Sequence, residues 1–196
     1  MGGCKVSIEE AVQLIITEIE RLQKEKARIL LAIDGRCASG KTTLASALQK
    51  RIACEVIHMD SFFLRPEQRT AERYKMPGGN VDYERLQEEV LVPLKTGQPF
   101  SYRPFVCSTQ QLGGPVTVGE HKVVILEGSY SCHPLLWNES DFHVFLTVEK
   151  AEQLARLEKR DASKFKAFQE KWIPLEEAYF SFYAIEKRCE LILQIE

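Results

Sequence analysis

Four residues near the start of the chain, Gly35, Gly40, Lys41 and Thr42, match the pattern G-x-x-x-x-G-K-[ST]. In such a loop the glycines let backbone N–H groups surround a phosphate, the lysine reaches the β- and γ-phosphate oxygens, and the hydroxyl is offered to Mg²⁺. A helix starting near Lys41 would add the positive end of its dipole. We therefore predict a nucleoside triphosphate site. The loop residues predicted to bind ATP are Gly35, Ala38, Ser39, Gly40, Lys41, Thr42 and Thr43.

The surroundings of this loop in the sequence favour a phosphate site over a lysine-bearing turn that matches by chance. An apolar run at 28–34 predicts a buried strand before the loop, and apolar residues at helical spacing over 42–52 predict a helix after it. The alternative to a triphosphate site is a tight strand-to-helix turn that carries a lysine by chance.

Two carboxylates, Asp60 and Glu127, follow other apolar runs and are therefore predicted at the carboxyl ends of strands, where ligands of open α/β sheets bind. Asp60 is placed to accept the proton of a hydroxyl group that attacks a phosphate, although it could simply cap the next segment. Glu127 is a candidate direct or indirect Mg²⁺ ligand, or else a solvated strand end. Thr42, Glu127 and Asp60 form the predicted metal set.

Arg156 and Arg160 lie four residues apart on a predicted helix at 151–161, so both guanidinium groups can point toward the same phosphates. On this interpretation Arg156 joins Lys41 and Asp60 as a catalytic residue, and Arg160 contacts ATP. A charged, merely solvated helix face is the competing interpretation.

The elements that must position these side chains alternate as short apolar runs and helical stretches, which is typical of a parallel sheet covered on both faces. The sequence predicts one five-stranded α/β domain over 1–196. A long excursion at 61–120 separates the second and third strands, and an excursion of that length usually binds something. We expect it to bind the acceptor.

Composition narrows the classes of function. The net charge of −2 gives no basic surface for a polynucleotide, and no apolar run is long enough to span a bilayer. The six cysteines form no C-x-x-C pair and the four histidines have no metal spacing, so we expect a cytoplasmic protein with reduced thiols and structural or solvated histidines. Cys37 lies inside the phosphate loop and could make activity sensitive to oxidation.

The motifs, in their order along the chain, resemble those of the uridine kinase-like group of P-loop kinases, which includes phosphoribulokinase and bacterial pantothenate kinase. The matching segments are Asp34-Gly35-x4-Gly40-Lys41-Thr42-Thr43, Met59-Asp60-Ser61-Phe62-Phe63, Asn80-Val81-Asp82-Tyr83, Leu126-Glu127-Gly128 and Arg156-x3-Arg160-Asp161. The resemblance implies a parallel sheet of order 2-3-1-4-5, ATP with Mg²⁺, and transfer of phosphate to a primary alcohol. It also implies Asp60 as base, Glu127 near the metal, Asp82 on ribose hydroxyls, and a lid at about 156–173 that carries the arginines.

The acceptor side departs from the family pattern. Uridine kinases have a Tyr-Asp-aromatic run followed by a histidine that reads the base, whereas this chain has Tyr102-Arg103-Pro104-Phe105-Val106-Cys107-Ser108-Thr109. Tyr102 and Phe105 could still stack on a flat ring, and Arg103 could pair with an anionic acceptor or be a surface charge. Without the histidine, the sequence does not identify uridine as the acceptor.

The main hypothesis is an ATP-dependent phosphotransferase that phosphorylates a hydroxyl of a nucleoside-like or other small metabolite. Two alternatives remain open at this stage. One is a nucleotide-dependent switch or binding protein that contacts a partner through the predicted N-terminal helix at 7–27, and the other is a nucleoside monophosphate kinase. The acceptor's identity and the oligomeric state, including a homo-oligomer, are left open by the sequence.

Overall fold

The computed structural model describes residues 4–196, which form an α/β fold around a parallel sheet of six strands. The strands are β1 (Cys4–Val6), β2 (Ile29–Gly35), β3 (Cys54–His58), β4 (Phe100–Tyr102), β5 (Phe105–Val106), β6 (Gln111–Leu112), β7 (Val116–Val118), β8 (Val123–Glu127), β9 (Phe142–Thr147) and β10 (Leu191–Ile195). The α-helices are α1 (Ile8–Leu22), α2 (Lys41–Gln49), α3 (Ala71–Lys75), α4 (Tyr83–Leu86), α5 (Val92–Thr96), α6 (Pro134–Trp137), α7 (Lys150–Arg160), α8 (Phe165–Ala167), α9 (Ile173–Phe182) and α10 (Ile185–Arg188).

The main sheet has the order β1-β10-β9-β2-β8-β3, and every pairing in it is parallel. Without β1 this is the order 2-3-1-4-5, which confirms the predicted topology. The predicted count of five strands is one short, because β1 pairs with β10 through only three residues and is too short to give an apolar run.

Strand β2 lies in the middle of the sheet, and all seven of its residues are buried because helices cover both faces. Leu31 and Ile33 point into a core shared with α1 and α2. Leu30 and Ala32 point into the opposite core, which the excursion and α9 complete. The two faces of β2 thus position the core beside the phosphate loop and the core beside the excursion relative to each other.

Two π-helical turns lie in the described chain, and each ends just before a proline. The helical run 83–96 contains the turn Gln87–Leu91 ahead of Pro93, and the run 165–182 contains Phe168–Trp172 ahead of Pro174. Proline lacks an N–H and its ring collides with the carbonyl four residues earlier. A wider turn relieves that collision, so both helices continue through their prolines.

The C-terminal helical region is not one continuous helix. It begins at Phe165, and α9 ends at Phe182. Ala184 then adopts a left-handed conformation with φ of 53°, and the short helix α10 follows it. The excursion contains α3, α4, α5 and two small antiparallel ribbons, β4 with β7 and β5 with β6.

Candidate active site

The phosphate loop runs from the end of β2 to the start of α2. Gly35 has φ of 133°, and a Cβ atom there would lie 2.0 Å from the carbonyl oxygen of Leu146 on β9, so only glycine fits. The ammonium group of Lys41 donates hydrogen bonds to the carbonyl oxygens of Gly35 at 2.7 Å and Arg36 at 2.9 Å. The lysine therefore lies inside the curl of the loop.

A buried carboxylate supports this loop from below. Asp34 is fully buried and accepts hydrogen bonds from the backbone N–H groups of Gly35 (2.7 Å), Tyr130 (3.1 Å) and Cys132 (2.9 Å), and from the Tyr179 hydroxyl (2.8 Å). Burial raises the pKa of Asp34 to about 6, against the opposing effect of these donors. The end of β2 is thereby tied to the loop that follows β8 and to α9.

Glu127 joins the phosphate loop to β3. Its Oε1 atom accepts a hydrogen bond from the Thr42 hydroxyl at 3.1 Å, and its Oε2 atom accepts one from Nδ1–H of His58 at 2.6 Å. The hydrogen bond to Glu127 raises the pKa of His58, with burial acting in the opposite direction. The Thr42 hydroxyl and the Glu127 carboxylate, both predicted ligands of Mg²⁺, are therefore in direct contact.

Asp60 lies in a short 3₁₀ turn (Met59–Phe62) directly after β3. Asp60 is exposed and lines a cavity, yet the protein atoms packed around its carboxylate displace water. This desolvation raises the pKa of Asp60, and the charge of Glu127 is the second cause. A carboxylate with a raised pKa holds a transferred proton more readily than an ordinary aspartate does.

One cavity of about 750 Å³ joins these groups. It brings together most of the predicted site: Ala38, Gly40, Lys41, Thr42, Thr43, Asp60, Glu127, Arg156 and Arg160. Gly35 and Ser39 belong to the loop beneath the cavity wall, and Ser39 is fully buried. Arg156 donates to the carbonyl oxygen of Ala38 at 3.3 Å, whereas the guanidinium of Arg160 lies 5.0 Å from the centre of the Phe168 ring.

The residues predicted to bind the acceptor do not line this cavity. Asp82 is 1% exposed, caps α4 by accepting from the Arg85 N–H at 3.1 Å, and has its other oxygen 3.5 Å from Nε of Arg85. Arg103 donates to the carbonyl oxygen of Gly113 at 2.9 Å, within the excursion. Both are charged groups engaged with the excursion itself.

Tyr102 and Phe105 are buried structural residues of the excursion. The ring of Tyr102 packs 5.4 Å from that of Phe62, and Phe105 lies under the guanidinium of Arg69 at 5.6 Å. Aromatic residues in a small ribbon can pack in its core as readily as they can stack on a ligand, and the sequence pattern does not distinguish these two uses.

Other residues in the cavity were not among the predicted set. His58, expected in a structural or solvated role, lines the wall beside Glu127. Glu176 on α9 accepts from the backbone N–H of Cys37 at 2.9 Å and from the Ser129 hydroxyl at 2.7 Å. Two nearly parallel rings, those of Phe63 and Trp172, face each other with centres 6.4 Å apart.

The oxygen atoms at the loop suit a magnesium ion. Mg²⁺ binds hard oxygen ligands and commonly takes only one or two protein carboxylates, the rest being water and phosphate. Thr42 and Glu127 supply a hydroxyl and a carboxylate in contact, and Asp60 lies close enough for the Glu127 charge to raise its pKa. Among residues 4–196 no cluster of three or more His, Cys, Asp or Glu side chains is placed to hold a metal ion.

Comparisons with known proteins bear on the fold. No protein-family model matches the sequence, and no curated protein sequence is significantly similar to it. Two solved structures superimpose on 95% of the chain with a TM-score of 0.73 each. One is a candidate uridine kinase from Bacillus stearothermophilus, 21% identical over 99% of its length, and the other a candidate fructose transport system kinase from Silicibacter sp. TM1040, 26% identical over 98%.

The chain has the fold of a uridine kinase-like P-loop kinase. The resemblance predicted from the motifs is thus confirmed at the level of the fold, including the order of the five central strands. No helix in the described part of the chain is long and apolar enough to cross a membrane.

Proposed function

We propose that this protein is an ATP-dependent phosphotransferase that transfers the γ-phosphate to a hydroxyl of a nucleoside-like or other small metabolite. The observation that carries the proposal is the contact of Thr42 with Glu127, in the cavity that also contains Lys41 and Asp60. This arrangement supports the proposal because the residues proposed to hold a triphosphate and the carboxylate proposed to receive the proton of the hydroxyl line one cavity. Phosphoryl transfer depends mainly on such positioning and charge stabilisation.

In the proposed mechanism the loop N–H groups and Lys41 hold the β- and γ-phosphates, while Arg156 and Arg160 bind oxygens of the phosphate being transferred. Thr42 and Glu127 would hold Mg²⁺, which neutralises charge on the phosphates when it is bound. Asp60 orients the acceptor hydroxyl and receives its proton as the new P–O bond forms and the bond to ADP breaks.

The names of the two similar structures mention uridine in one case and a fructose transport system in the other. Nucleosides and sugars therefore both belong in the acceptor panel, together with pantothenate, vitamin alcohols and nucleoside monophosphates. The last group tests for a nucleoside monophosphate kinase.

The experiment is a coupled ADP-release assay with ATP, Mg²⁺ and each acceptor in turn. We expect at least one acceptor to stimulate turnover well above basal ATP hydrolysis, with a phosphorylated product visible by mass spectrometry. If no acceptor does so and ATP instead changes binding to a partner protein, the chain is a nucleotide-dependent switch and the proposal is wrong. Turnover with nucleoside monophosphates alone would identify the protein as a nucleoside monophosphate kinase.

A further inference from the structure

The side-chain amide of Asn80 is a polar group that neither the fold nor the proposed mechanism uses. Asn80 is 6% exposed and lines the cavity that contains Asp60. Its Nδ2 atom has no hydrogen-bond partner among the described residues. A buried donor without a partner destabilises a folded protein, and a molecule bound in the cavity would supply Asn80 with an acceptor.

Asn80 lies on the acceptor side of the cavity. The backbone carbonyl oxygen of Asn80 accepts a hydrogen bond from the Leu64 N–H at 3.2 Å. Val81 forms an antiparallel bridge with Phe63, and the backbone N–H of Asp82 donates to the Phe62 carbonyl oxygen at 2.7 Å. The segment that carries Asn80 is thus paired with the segment that directly follows Asp60. The amide and the proposed base share one wall.

The backbone around Asn80 is held firmly. Arg73 donates to the carbonyl oxygens of Gly79 at 3.1 Å and Val81 at 2.8 Å, and the Tyr83 hydroxyl donates to the Gly78 carbonyl at 2.9 Å. A Cβ atom at Gly79 would lie 2.0 Å from the carbonyl oxygen of Arg73, so this glycine permits the close approach. The unpaired amide is therefore presented by a preorganised loop.

The neighbouring phenol of Tyr130 does not satisfy the amide. Burial raises the pKa of the Tyr130 hydroxyl, and a weak side-chain hydrogen bond from the nearby Asn80 acts in the opposite direction. The geometry nevertheless forms no hydrogen bond at Nδ2, and the geometry decides whether the donor is satisfied.

We propose that Asn80 donates a hydrogen bond to an uncharged oxygen, a hydroxyl or a carbonyl, on the phosphate acceptor. This inference rests on the proposed function and narrows its substrate class. The proposed mechanism assigns the cations that line the cavity, Lys41, Arg156 and Arg160, to ATP, and the carboxylates of Asp60, Glu127 and Glu176 disfavour an anionic group on the acceptor. Asp82, which the family resemblance assigns to the acceptor hydroxyls, lies within ion-pair distance of Arg85 and does not line this cavity, although its Oδ2 atom also has no hydrogen-bond partner among the described residues, so we assign the contact to Asn80.

The test compares Asn80→Asp and Asn80→Leu with a matched control, Asn138→Asp, which makes the same chemical change at an exposed residue. With the best neutral acceptor from the ADP-release panel, we expect both Asn80 variants to raise the acceptor KM about tenfold or more and to leave the ATP KM within about twofold. The Asn138 variant should behave as the wild type. Asn80→Leu should also raise the midpoint of thermal unfolding, because it removes an unpaired buried donor.

Deoxy analogues of that acceptor provide the matching change in the ligand. One analogue should lose about tenfold in kcat/KM with the wild type and show no further loss with Asn80→Leu. The inference is overturned if the Asn80 variants keep the wild-type acceptor KM, if they raise the ATP KM equally, or if a monophosphate is the best acceptor. Absence of any acceptor turnover in the wild type would instead overturn the proposed function on which the inference rests.

Discussion

The carboxylate of Glu176 accepts a hydrogen bond of 2.9 Å from the backbone N–H of Cys37, in the middle of the phosphate loop. The two residues are 139 positions apart in the sequence. A negative charge is therefore held against a loop whose other N–H groups are suited to anions. The same charge contributes to the raised pKa values of Cys37 and Asp60.

Neutralising that charge should strengthen nucleotide binding. We expect Glu176→Gln to bind ATP a few-fold more tightly, because the amide oxygen can still accept from Cys37 while the repulsion of phosphate is removed. The measurement is an equilibrium titration with a fluorescent ATP analogue at low ionic strength. Glu170→Gln, an exposed substitution on the neighbouring helical turn, is the control, and unchanged or weaker binding in Glu176→Gln would contradict the prediction.

Replacing the proposed base should affect chemistry and spare nucleotide binding. Asp60→Asn is expected to lower phosphoryl transfer by at least ~100-fold with ATP affinity nearly intact. In the wild type, the raised pKa of Asp60 places the acid limb of kcat/KM at a higher pH than an ordinary aspartate would give. Activity is present above that limb and is lost as pH falls, and Glu176→Gln should move the limb to lower pH. Equal losses of transfer and ATP affinity would indicate a structural Asp60.

The buried Asp34 predicts a pH dependence of folding. Its pKa is about 6 in the folded protein against an ordinary 3.8, so the folded state holds this proton more tightly. The contribution of Asp34 to the free energy of unfolding is complete below about pH 4 and is lost as pH rises through 6. The loss amounts to about 3 kcal/mol. Tyr179→Phe removes a donor to the carboxylate and should extend the decline to higher pH.

The matched control for that change is Tyr83→Phe, since the Tyr83 hydroxyl donates to a backbone carbonyl instead of to Asp34. Urea unfolding between pH 4 and pH 8 gives the stability curves of all three proteins. Identical pH dependence in the two variants would disprove a special role of the Tyr179 hydroxyl.

The thiol of Cys37 should resist oxidation and alkylation. Burial and the nearby Glu176 raise its pKa to about 12, so almost none of it is thiolate at neutral pH. We expect iodoacetamide, followed by peptide mass spectrometry, to modify exposed Cys107 first and to leave ATP binding unchanged. Rapid labelling of Cys37 accompanied by loss of ATP binding would restore the redox hypothesis drawn from the sequence.

The donor side of the site could be predicted from the sequence because its signals are local. The phosphate loop is one continuous motif, and Asp60 and Glu127 directly follow apolar runs that become β3 and β8. The acceptor side could not be predicted in the same way. Asn80 belongs to one of the matching segments, but nothing in that segment marks Asn80 rather than Asp82 as the residue that lines the cavity. Glu176 reaches the phosphate loop only through long-range packing.

The three-residue strand β1 has a consequence for association between molecules. It pairs with the last three residues of β10, 193–195, so that part of the mostly apolar five-residue strand has no free outer edge of N–H and C=O groups. An exposed edge of that kind is a template for intermolecular β-pairing, whereas a very short edge strand is a poor one. Removing residues 1–6 should therefore increase the tendency of the protein to aggregate, as light scattering would detect, before it alters the phosphate loop.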